Sequence, residues 1–205
     1  MRPVWMVMGL ALVLLAGCGS AAQTPAAEQR VDLHGTEVTE PYDLPDTLFT
    51  DSAGHAYRLA STPTSPIVVL VFGYSHCEPR CSSAPATLAE ALELLPEALR
   101  QRVTGILITV DPVRDTPAIL QDWLARTAPG VIGLTGDRSD VQHVAERVGV
   151  AISGKQRNGQ DGYFLGHGTQ LIAFGPDRSA IVYWQQDDSA ADIAADLDNL
   201  VRGES

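Results

Sequence analysis

Residues 66–81 read Pro66-Ile67-Val68-Val69-Leu70-Val71-Phe72-Gly73-Tyr74-Ser75-His76-Cys77-Glu78-Pro79-Arg80-Cys81. Ile67 to Phe72 is an unbroken apolar run rich in β-branched side chains, the pattern of a central strand buried on both faces of a sheet. Gly73 to Cys81 follows as a loop. Pro85 then stands where the first turn of a helix tolerates proline, and Leu88, Ala91, Leu92, Leu95 and Leu99 recur at helical spacing. Downstream, Val103 to Val110 reads as a second strand, and Thr116 before Pro117 starts a helix carrying Leu120, Trp123 and Leu124. Ser139 with Gln142 three residues later predicts a capping box for the next helix, which closes at Gly149. Leu171–Phe174 and Ile181–Trp184 flank the turn Gly175-Pro176-Asp177-Arg178, and Ser189 opens a last helix with Ile193, Leu197 and Leu200 on one face. Upstream, Tyr42 to Leu59 with the turn Asp51-Ser52-Ala53-Gly54 predicts a short N-terminal hairpin. Strands alternating with helices, then a hairpin and a closing helix, predict one α/β domain over residues 42–205, with a central mixed sheet and flanking helices.

The chain has 205 residues, 45% of them hydrophobic and 19% charged, which excludes a disordered or fibrous protein. Its net charge is −11, and Lys155 is its one lysine. No basic patch exists to neutralise phosphates, so nucleic acid is excluded as an expected partner.

Ahead of the domain, Arg2 precedes the uncharged run Val4 to Ala16. Such a run covers roughly 20 Å as a helix, short of the ~30 Å hydrocarbon core, and reads as a signal peptide over residues 1–17. Leu15-Ala16-Gly17-Cys18 resembles a bacterial lipoprotein signal, in which Cys18 is lipidated and becomes the first residue of the mature chain. The alternative is an ordinary signal peptide that leaves Cys18 as an unpaired thiol. Residues 18–41 hold few large apolar residues and read as a flexible tether, with His34 a solvated linker residue. The expected location is the extracytoplasmic side of a cell membrane, reached through a lipid anchor.

With Cys18 assigned to lipid, Cys77 and Cys81 remain. They lie beyond the carboxyl end of the central strand, where open α/β sheets place their ligand sites. Three intervening residues suit two thiols one helical turn apart, close enough to bridge or to share a metal. A helix start and Arg80 favour the thiolate. The alternative for this segment is a stabilising disulfide, common in exported proteins.

Two further stretches bear on the choice: Thr109-Val110-Asp111-Pro112-Val113-Arg114-Asp115-Thr116-Pro117 after the second strand, and Gly166-His167-Gly168-Thr169-Gln170 before the late hairpin. Together with Cys77, Cys81 and Gly133-Leu134-Thr135-Gly136, they resemble the Sco/SenC family of copper-binding assembly proteins from about Tyr42 to Arg202. That resemblance implies a thioredoxin-like fold, Cys77, Cys81 and His167 as copper ligands, and Cys77 and Cys81 as a pair able to form a disulfide. It also implies delivery of copper to the dinuclear centre of cytochrome c oxidase. The partners are then the copper-bearing oxidase subunit and a copper donor protein. Glu78 and Pro79 after the first cysteine, Ser82 after the second, and glycines on both sides of His167 depart from the usual family pattern.

Thiolates are soft and suit Cu(I), imidazole accepts either oxidation state, and a three-ligand set leaves a position open for transfer. Zinc fits the same donors. The rival function is a thiol-disulfide oxidoreductase with Cys77 and Cys81 as its redox pair, a reading that makes the chain an enzyme. Reductases of this fold usually carry two residues between the cysteines and a proline before the late strand. Here three residues intervene, no proline occurs between Pro129 and Pro176, and His167 occupies that neighbourhood. Asp111, Arg114 and Asp115 read as turn and cap residues, His76 as solvent-facing, and Tyr74, Tyr163 and Trp184 as packing, with Tyr74 placed to wall the site.

Overall fold

The computed structural model describes residues 33–76, 83–158 and 162–203. Ten strands are present among them: β1 (Thr36–Glu37), β2 (Leu48–Asp51), β3 (Ala56–Arg58), β4 (Ile67–Gly73), β5 (Val103–Thr109), β6 (Ile132–Thr135), β7 (Ile152–Asn158), β8 (Gly162–His167), β9 (Leu171–Phe174) and β10 (Ala180–Trp184). The helices are α1 (Ser83–Leu94), α2 (Glu97–Arg100), α3 (Pro117–Thr127), α4 (Arg138–Arg147) and α5 (Ala190–Gly203). Eight strands form one mixed sheet in the order β1-β10-β9-β4-β5-β6-β2-β3, while β7 and β8 form a separate antiparallel pair.

The apolar run is strand β4, and every residue from Ile67 to Gly73 is buried. It pairs in parallel with β5 from Ile67↔Val103 to Gly73↔Thr109 and antiparallel with β9. Successive side chains of a strand face opposite ways, so Ile67, Val69 and Val71 pack with Leu88, Leu120 and Ile193 of α1, α3 and α5. Val68, Leu70 and Phe72 pack on the other face with Phe49, Val144 and Phe174. Full burial of each such side chain contributes about 1.5–3 kcal/mol, which is why this run sits at the centre rather than at an edge.

Several helix ends and strands follow the sequence pattern. Ile119 N donates to Thr116 Oγ1 at 3.4 Å with Pro117 in the first helical turn. Ser189 caps α5, its Oγ accepting from Asp192 N at 3.1 Å. The hairpin β2–β3 turns at Gly54, whose φ of +87° suits glycine.

Other expectations are corrected. The helix read as continuous from Pro85 to Leu99 divides at Pro96, which has no N–H to continue it, and Leu99 falls in the short α2. Asp137, not Ser139, precedes α4, no side-chain cap bond forms there, and the predicted capping box is absent. The expected tether does not extend to residue 41. Thr36–Glu37 adds to the sheet edge beside β10, and His34 is not a free linker residue.

Asp196 of α5 is buried and explains that difference. Its carboxylate accepts from His34 N at 2.9 Å, Gly35 N at 2.9 Å and Trp184 Nε1 at 2.8 Å, and it lies 2.9 Å from His34 Nδ1. Burial alone would raise this carboxyl, but those donors outweigh it and hold its pKa below the ordinary value. The hydrogen bond to Asp196 in turn raises the pKa of His34.

Candidate metal centre

Strand β4 ends in Gly73, and Tyr74, Ser75 and His76 lead on towards Cys77. Cys18, Cys77 and Cys81 lie outside the described residues, as do the signal peptide and residues 18–32. The site is therefore built from what flanks the cysteines and from His167 at the end of β8.

Tyr74 is buried at 1% exposure and ties the two arms together. Its hydroxyl accepts the amide hydrogen of Leu165 at 3.1 Å, and its ring meets the His167 ring edge-on with centroids 5.8 Å apart. His167 Nδ1 lies 2.9 Å from the carbonyl oxygen of Gly168. A carbonyl only accepts, so Nδ1 carries the proton and Nε2 keeps its lone pair. Nε2 is buried and has no hydrogen-bond partner among the described residues. Burial lowers the pKa of His167, favouring the neutral ring, against a smaller opposing effect of the Gly168 carbonyl. A buried nitrogen lone pair with no donor is costly unless something else occupies it. An imidazole fixed through its other nitrogen is the arrangement in which histidine ligates metals.

The glycines around His167, which depart from the family pattern, have a local reason at one position. A Cβ on Gly166 would stand 2.6 Å from Ser153 Oγ, the group that accepts from Gly166 N at 3.0 Å. Ser153 on β7 thus occupies the space that a side chain next to the histidine needs.

The loop after β5 forms a second layer. Tyr163 Oη donates to Asp111, 2.9 Å from each carboxylate oxygen, and Arg114 Nε also bonds Asp111. The Arg114 guanidinium lies 3.8 Å from the Tyr163 ring centroid and 5.7 Å from that of Tyr74, and Lys155 Nζ lies 4.2 Å from the Tyr163 ring centroid. Burial, then the bond to Asp111, raises the pKa of Tyr163. Asp111 and Arg114 therefore do more than close a turn: they fasten the β7–β8 hairpin, with His167 at its end, to the sheet.

On the side of Cys81, Gln186 Nε2 donates to Ser83 Oγ at 2.9 Å, and Thr169 Oγ1 donates to Gln186 Oε1 at 3.2 Å. This polar chain links the residue two beyond Cys81 with the residue two beyond His167. Near Cys77, His76 is half-exposed as expected, with Nδ1 2.8 Å from Ser75 Oγ. A cavity of about 720 Å³ is lined by Leu33, Val38, Pro41, Pro176 and Ile181 and by none of these groups. Donor chemistry, not cavity size, marks the site. No cluster of three His, Cys, Asp or Glu residues suited to a metal occurs among the described residues; a set of His167 with both cysteines draws two members from outside them.

The chain has counterparts among known proteins. A Stutzerimonas stutzeri protein whose name proposes copper binding is 35% identical over 114 residues, 54% of each chain. The chain spans about half the length of the curated relatives it matches. Bradyrhizobium japonicum ScoI, solved with copper bound, superposes with a TM-score of 0.67 at 26% identity, covering 78% of this chain and 97% of ScoI. BsSco, a member of the Sco family of cytochrome c oxidase assembly proteins in which a disulfide switch has been identified, shares the fold with a TM-score of 0.65 at 21% identity, covering 85% of this chain and 99% of BsSco. The fold is thus the α/β fold that the order of elements predicted, of the thioredoxin-like kind that the resemblance implied. The family model described as SCO1/SenC matches residues 35–202, starting within the strand-forming segment that Asp196 anchors and ending in α5, and on that match the chain belongs to the SCO1/SenC family.

Proposed function

We propose that this protein is a copper-binding metallochaperone, held outside the cytoplasm by lipid on Cys18, that delivers copper for assembly of the dinuclear copper centre of cytochrome c oxidase. Cys77, Cys81 and His167 are the ligands of the copper cargo in this reading. The observation that carries it is the His167 ring: Nδ1 is committed to Gly168, and Nε2 is buried and unpartnered among the described residues. The copper-bound ScoI relative and the oxidase-assembly role of the family of BsSco support the choice of cargo and target.

Each group has a part in that task. The cysteine thiolates supply soft sulfur suited to Cu(I), and His167 supplies one nitrogen without adding charge. Tyr74 and the Asp111–Tyr163 contact keep the hairpin from drifting away from the end of β4. Three protein ligands leave a coordination position through which a recipient thiolate or imidazole takes the ion by ligand exchange. The thiol-disulfide oxidoreductase alternative uses the same cysteines but gives the orphaned Nε2 no role.

The test is copper titration of the reduced protein. One copper per chain is expected, with tight binding lost in Cys77→Ser and in Cys81→Ser. Full copper occupancy of the oxidised protein, in which both sulfurs lie in a disulfide, would overturn the assignment. The anchor is tested separately: the parent should sediment with membranes and Cys18→Ser should be released. An unmodified mature amino terminus at another residue, read by intact mass, would refute lipidation. Among the described residues no helix is long and apolar enough to cross a membrane.

A further inference from the structure

Asp115 is fully buried, and its carboxylate is met by neutral donors: Ser75 N at 3.0 Å, Ser75 Oγ at 2.5 Å and Thr109 Oγ1 at 2.6 Å. His76 Nδ1, on a half-exposed ring, stands 3.7 Å from it. Withdrawing a carboxylate from water is expensive and needs a compensating role. Closing the local turn does not require the side chain, because Asp115 N already donates to Asp111 O at 2.9 Å and Leu120 N to Thr116 O at 3.0 Å.

The place of Asp115 in the sheet supplies that role. The parallel ladder between β4 and β5 ends at Gly73↔Thr109, and the last backbone bond runs from Val110 N to Gly73 O at 2.9 Å. Past that point, among the described residues, no strand pairs its backbone with the chain that leads to the cysteines. Asp115 takes over from the ladder two residues on, gripping Ser75 by both its backbone N–H and its hydroxyl. Two bonds to one residue fix its backbone orientation and its rotamer together. Cys77 follows two residues later.

We propose that Asp115 is the positioning residue for Cys77, acting through Ser75 to direct the chain as it leaves β4. The proposal deepens the copper reading and rests on it for one of its two readouts. Loss of the grip widens the range of positions open to the first thiol. Copper retention falls, and so does the tendency of Cys77 and Cys81 to join. In the second case the reaction is disulfide plus two glutathione thiols giving the Cys77 and Cys81 dithiol plus glutathione disulfide. Two electrons and two protons pass from glutathione to the protein.

The experiment compares Ser75→Ala, Asp115→Asn, Ser75→Thr and Arg178→Lys in the full chain. Cu(I) retention is read against a competing chelator, and the glutathione equilibrium by mass mapping of the Cys77–Cys81 peptide. Ser75→Ala and Asp115→Asn should weaken copper retention about tenfold and shift the equilibrium several-fold towards dithiol. Ser75→Thr, which keeps both donors, should restore both readouts. Arg178→Lys, at the β9–β10 turn and bonded to the carbonyls of Ala60, Pro63 and Ser65 rather than to Ser75 or Asp115, should lower stability while leaving both readouts at parent values. Parent behaviour in a folded Ser75→Ala and Asp115→Asn overturns the proposal, as does an equal shift in Arg178→Lys. If Asp115→Asn does not fold, Ser75→Ala decides alone. A parent that binds no copper defeats the copper reading, and the glutathione equilibrium then judges Asp115.

Discussion

The hydroxyl of Tyr74, one residue past the end of β4, accepts the amide hydrogen of Leu165 at 3.1 Å, two residues before His167. This bond crosses from the central sheet to the separate β7–β8 pair, and Leu165 is itself buried. Tyr74→Phe keeps the ring against His167 but leaves the Leu165 N–H without its acceptor. Such a loss costs about 1–3 kcal/mol. The denaturant midpoint should fall accordingly, and copper retention should fall less than in Tyr74→Ala, which also removes the ring. A midpoint equal to the parent's would show that the hydroxyl contributes nothing.

His34 and Asp196 make the docking of the N-terminal strand depend on pH. Asp196 raises the pKa of His34 in the folded protein above its unfolded value near 6.5. The folded state therefore holds the proton more tightly, and the stabilisation is fully present below that unfolded value. It is lost as pH rises through the raised folded value. His34→Leu should cost stability at pH 5.5 and much less at pH 9, measured as unfolding free energies against the parent. An identical difference at both pH values would contradict the linkage.

Arg178, with a φ of +66°, sits at the turn between β9 and β10 and donates to the carbonyls of Pro63 at 2.6 Å, Ala60 at 2.9 Å and Ser65 at 3.1 Å. It thereby gathers the segment that feeds β4. A planar guanidinium reaches several carbonyls at once where an ammonium does not. Arg178→Lys should lower stability by about 2 kcal/mol, since charged hydrogen bonds contribute roughly 1.5–3 kcal/mol each. Thermal unfolding of the two proteins checks this, and an unchanged transition would deny the clamp a role.

His167 separates the chaperone from the reductase. Thiol-disulfide exchange needs an attacking thiolate and a resolving thiol, so His167→Ala should leave cycling between dithiol and disulfide largely intact. Copper retention should drop sharply, and the variant should fail to restore oxidase assembly in a deletion strain. Should it restore assembly as well as the parent while a cysteine variant does not, the reductase reading takes its place.

Much of this protein is readable from local pattern. The run Ile67–Phe72 announces a strand buried on both faces, because no exposed strand tolerates six consecutive apolar side chains. Thr116-Pro117 and Ser189 announce helix starts, because capping is satisfied within three residues. The motif around His167 singled out the histidine, and the fold buries its Nε2 and sets its ring against Tyr74. What pattern did not decide was every contact made across long sequence separations. His34 reads as linker because its partner, Asp196, lies 162 residues away on a helix whose other features look ordinary. Asp111, Arg114 and Asp115 read as turn residues because a turn explains them locally, whereas Tyr163 and Ser75, 52 and 40 residues distant, supply their second use. A strand of two residues such as Thr36–Glu37 carries no periodicity at all, and only the free edge of β10 makes it a strand. Periodicity and capping are local energies and are written locally. The partner of a buried carboxylate is chosen by the folded surface that excludes water around it, and that surface exists only once the chain has closed on itself.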